Sequence, residues 1–107
     1  MKESDWKIFT QIKAKALETY CLNILRESND LINDENNETD HEKYISLYNL
    51  IQKKDKKIAR IFNGHSRSRA GFQLLAIRQE KLAEKELLLK LSAEFLESTD
   101  PDRFNLL

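Results

Sequence analysis

Between Ser4 and Ser98 apolar side chains recur three and four residues apart in three successive runs, the spacing that lays one broad face of a helix against a core. Little in the chain can interrupt them: its 107 residues include two glycines, one proline and no valine. Hairpin turns therefore have few candidates, and an all-α chain is expected. The length suits a single domain, since domains run to about 100–200 residues.

The first run spans about 4–32, with Phe9, Ile12, Ala16, Tyr20 and Ile24 on one face and Ser4 or Asp5 placed to cap its start. Residues 33–39 are rich in Asn and Asp, whose side chains bond to nearby backbone and favour a loop. Thr39 and Glu42 then match a capping box, which starts a second helix over about 40–62. Its apolar set is Tyr44, Leu47, Tyr48, Ile51, Ile58 and Phe62, and Asn63-Gly64 supplies the stop. Ser66 or Ser68 caps a third helix, expected to run unbroken over about 67–98, because Leu75, Leu82, Leu89 and Leu96 lie seven apart. Asp100-Pro101 ends it and leaves a short apolar tail, 101–107, in which Phe104, Leu106 and Leu107 are expected to dock on the domain.

Short connections favour antiparallel neighbours, so these helices should form an up-down-up bundle of three long antiparallel rods. In such a bundle Leu87, Leu88 and Leu91 spread around more of the third helix than one intramolecular contact needs. They are the expected oligomer surface, and the chain is expected to be a homodimer pairing through its third helix.

Charge is neutral in total, 18 Lys+Arg against 18 Asp+Glu, which argues against coating nucleic acid or membrane by bulk charge. The distribution is uneven. Residues 53–69 hold Lys53, Lys54, Lys56, Lys57, Arg60, Arg67 and Arg69 against Asp55 alone. Residues 27–42 hold seven carboxylates and no Lys or Arg. A chain that doubles back twice gathers these at opposite ends, and the basic end is the expected site for an anion or an acidic partner segment.

Asp55 falls between Ile51 and Ile58, and Gln79 between Leu75 and Leu82, so the two are expected to form a buried polar pair that fixes register. One carboxylate does not make a catalytic set, and no Gly-rich phosphate loop, GxSxG, HExxH or cysteine pair appears. Cys21 is expected to be an inert thiol, while His41 and His65 fall too far apart to share a metal. No cofactor and no metal is expected. A lone cysteine and an N-terminus without a signal-peptide core fit a cytoplasmic chain, and no run approaches the roughly 18 apolar residues of a membrane span. The expected function is a non-enzymatic protein–protein interaction module; the alternative is binding of an anionic ligand or nucleic-acid backbone by the basic turn.

Overall fold

A computed structural model describes residues 1–36 and 38–104. Among them are five α-helices, no strand and one short 3-10 turn: α1 Glu3–Ile32, α2 Asp40–Phe62, α3 Arg67–Gln79, α4 Lys85–Leu88, α5 Ala93–Ser98, then the 3-10 turn Pro101–Phe104. Docking of the Phe104, Leu106 and Leu107 side chains lies outside the described residues.

The end of α1 and both ends of α2 lie where their sequence signals sit. Asn33 closes α1 by returning its backbone N–H to the Asn29 carbonyl. Thr39 caps α2 through the reciprocal bonds of a capping box with Glu42. Asn63 leaves α2 in an extended conformation, φ -66° and ψ 137°, and Gly64, at φ 77°, turns the chain beyond it. The start of α1 differs from expectation: Lys2 occupies the cap position, with no side-chain bond to the first turn. Asp5 has other work. It is buried, and it accepts from the Ser92 backbone N–H at 2.8 Å and the Ser92 hydroxyl at 2.6 Å, tying the start of α5 to α1.

The third helix is not the rod that the leucine spacing predicts. It stops at Gln79, and Lys81 adopts φ 58°. The backbone N–H of Lys81 returns to the Arg78 carbonyl and that of Leu82 to Ile77, the paired bonds of a Schellman stop. Such a stop ordinarily carries glycine, because a side chain crowds the left-handed region. Lysine here leaves no mark in the sequence. After the break, α4 and α5 fold back, and Leu87 and Leu91 are only 5% and 7% exposed within the core. The expected oligomer surface of Leu87, Leu88 and Leu91 is thus intramolecular, with Leu88 half-buried against the same cluster.

Phe9, Ile12 and Ala16 of α1 pack with Ala70, Leu74 and Ile77 of α3, and Ile61 and Phe62 close the cluster from the end of α2. This core occupies one half of the molecule. Beyond it α2 returns along α1, with Lys54 reaching Glu27 and Lys43 reaching the Ile32 carbonyl. The extents of 53 × 31 × 23 Å and the radius of gyration of 17.0 Å reflect this two-helix extension. A compact domain of this length would have a radius near about 13 Å.

Lys81→Gly is expected to raise stability by about 1 kcal/mol, by relieving the left-handed lysine. Thermal unfolding checks it; a lower melting temperature would contradict the assigned stop.

Candidate interaction surface

The inward stripe of α2 is Leu47, Leu50, Lys54, Ile58 and Ile61, all at least half-buried. Tyr44, Tyr48, Ile51 and Asp55 lie on the next flank round, because about 3.6 residues make a turn. All four are exposed, Tyr44 at 65% and Tyr48 at 53%. Tyr48 is nine residues from Lys57, half a revolution away, and Lys57 pairs with Glu80 at the end of α3 at 2.6 Å. The tyrosine flank therefore points away from α3. On α1 the same count holds: Leu25, 66% exposed, is nine residues past Ala16, which is buried against the core. Ile32, two turns past Leu25, lies on the same open side. The result is a two-helix face of Leu25, Ile32, Tyr44, Tyr48 and Ile51 on the side that the third layer leaves uncovered.

Expected burial of Asp55 and Gln79 does not occur. Both are exposed: the inward stripe of α2 is rotated one position from the one drawn through Tyr48, Ile51 and Asp55, and Gln79 is the last residue of α3. Polar groups inside the molecule are others. Gln73, 1% exposed, donates to the carbonyls of Asn63 and Gly64 and accepts from Lys13 at 3.3 Å. Arg78 donates to the Leu96 carbonyl at 2.7 Å and to the buried Thr99 hydroxyl at 3.0 Å. These groups pin the post-break segment and the α2–α3 turn, and no spacing in the sequence distinguishes them from surface residues.

The seven basic residues do not make one patch. Lys54 pairs with Glu27 at 3.7 Å, and Arg67 pairs with Glu3 at 2.7 Å while lying over the Trp6 ring. That guanidinium, chiefly through its hydrogen bond, holds the Glu3 carboxyl below its usual range. Lys57 is engaged with Glu80, as described. Lys53, Lys56 and Arg60 remain along the outer side of α2, where they line a shallow cleft with Asn49, Gln52 and Lys57. Arg69 folds back over Gly64 at the α2–α3 turn.

At that turn the Lys13 ammonium donates to the Gly64 carbonyl and lies 3.3 Å from His65 Nδ1. Burial, and then the charge of Arg69, lowers its pKa from the ordinary lysine value. The unfolded chain thus binds more protons between the lowered and ordinary values, so stability rises with pH across that window.

Tyr20 is buried against Phe62, whereas Tyr44 and Tyr48 are exposed. Among the described residues no group of three or more His, Cys, Asp or Glu is placed to hold a metal, and no helix is long and apolar enough to cross a membrane. Comparison with known protein families, curated proteins and solved structures gives no match.

In Arg69→Gln the Lys13 amine is expected to titrate closer to the ordinary lysine value. Nitrogen-detected NMR titration of the side chain checks this, and an unchanged midpoint would remove Arg69 from the account.

Proposed function

We propose that the chain is a non-enzymatic helical protein–protein interaction module, and that it works through the open face of the α1–α2 extension. The observation that carries the reading is the set of large apolar side chains exposed there, Leu25, Ile32, Tyr44, Tyr48 and Ile51. Contiguous exposed apolar surface rimmed by charge is the usual form of a protein contact. Asp55, the one carboxylate whose sequence position suggested acid–base chemistry, is exposed, which weakens any enzymatic reading. A reducing, cytoplasmic setting suits the lone Cys21, which is half-exposed on α1.

Binding of an anionic ligand or nucleic-acid backbone is the second reading, favoured by Lys53, Lys56 and Arg60 along one side of α2. Fewer charges are free for it than the sequence count suggests, since Lys54, Lys57 and Arg67 already have carboxylate partners.

A photoreactive phenylalanine analogue placed at position 48, and separately at position 53, separates the two readings in cells that express the full chain. Protein adducts from position 48 and few from position 53 are expected. Nucleic-acid adducts from position 53, with none from position 48, would overturn the proposal.

A further inference from the structure

We infer that the occupant of the open face is a second copy of this chain, laid antiparallel so that a two-fold axis passes beside Tyr48. This rests on the interaction-module reading and supplies its partner. The argument begins with the order of residues along the outward flank of α2: His41, Tyr44, Ile45, Tyr48, Ile51, Gln52 and Asp55. Reversed about Tyr48, this seam meets itself. Ile45 falls opposite Ile51 of the partner subunit, Tyr44 opposite Gln52 of the partner subunit, and Tyr48 opposite its own copy.

Charge makes the orientation specific. On the solvent side of that seam, roughly a quarter-turn round the helix, the facing flanks are staggered by about two residues from the seam's own register, which sets Glu42 beside Lys56 of the partner subunit. At the seam's ends His41 meets Asp55 of the partner subunit. Each opposition brings a carboxylate to a base or a cation, and each occurs twice in the symmetric pair. A parallel arrangement would instead set the acidic loop against the acidic loop and Lys53–Arg60 against themselves, which like-charge repulsion disfavours. Among the described residues, Glu38, Asp55, Lys56 and Arg60 have no ion pair within 4.0 Å in their own chain. Glu42 also serves the capping box with Thr39.

The remaining geometry is compatible. An axis lying across the extension stacks α2 on α2 and α1 on α1, bringing Leu25 near Ile32 of the partner subunit. The result is a four-helix arrangement, in which each apolar flank gains the cover that α3 gives only on the other side. The formal net charge of zero leaves no overall repulsion between copies.

Sedimentation equilibrium of the full chain is expected to give twice the chain mass. The double variant Tyr48→Glu with Ile51→Glu is expected to weaken pairing on the order of a hundredfold while leaving helicity unchanged, because both side chains are exposed in the single copy. Register is read in a Cys21→Ser background. Tyr48→Cys should form a disulfide with its own copy, and Tyr44→Cys should form one only when mixed with Gln52→Cys. A wild-type chain that stays monomeric at every concentration overturns the proposal, and so does a dimer that the double variant leaves intact. Self-linkage of Tyr44→Cys signals parallel pairing and overturns it too. Photo-adducts from position 48 carrying only a different protein sink self-pairing and leave the interaction module standing; absence of any protein adduct sinks both.

Discussion

The left-handed lysine that ends α3 governs the architecture. Had the helix continued past Gln79, it would have run on along the Lys57 side of α2, half a turn away from Tyr48. Instead the backbone bonds at Lys81 and Leu82 turn the chain, and α4 and α5 return over the first half of α1. Leu87 and Leu91 complete the core there, and the Asp5 carboxylate fastens the far side of the turn through Ser92. Desolvating a carboxylate is costly, so Asp5 stabilises only because its hydrogen bonds are made, one of them to a backbone N–H that begins a helix. Completion of the core by Leu87 and Leu91 is thus a consequence of one backbone conformation.

Legibility in the sequence followed the strength of the local signals. Thr39 with Glu42 is a side-chain chemistry that acts on the backbone next to it, Asn63-Gly64 is a pair that leaves a helix readily, and both ends of α2 lie at those residues. The third helix misled because Leu75, Leu82, Leu89 and Leu96 keep a helical repeat across a break that no glycine or proline marks. Only Leu75 belongs to α3; Leu89 is 70% exposed, so one member of the repeat faces solvent. Periodicity records which residues a helix would bury together, and it cannot register a stop built from backbone bonds alone.

The same limit applied to the surface. Tyr44, Tyr48 and Ile51 read as core because a second helix between two neighbours would bury two adjacent flanks. In the structure the Tyr44, Tyr48 and Ile51 flank points away from α3, α2 buries its inward stripe against α1, and lysine stems such as that of Lys54 complete that stripe. Separation of charge along the chain was legible from composition by segment, but its distribution between internal pairs and free cations required the fold. Arg67 is absorbed by Glu3 and Trp6, whereas Lys56 and Arg60 stay outside. Apolar flank and unpaired charge then run side by side on α2, so the helix offers both adhesion and orientation to whatever covers it.

Residue-resolved amide hydrogen exchange across 67–98 tests the central claim, that the third helix stops and the chain turns. Slow exchange is predicted along most of α3 and again at Leu87 and Leu88, which bond to the Glu84 carbonyl, with a gap of fast exchange over Ala83–Glu86. Unbroken protection from Ala70 to Leu96 would mean one continuous rod, and the turn at Lys81 would not exist.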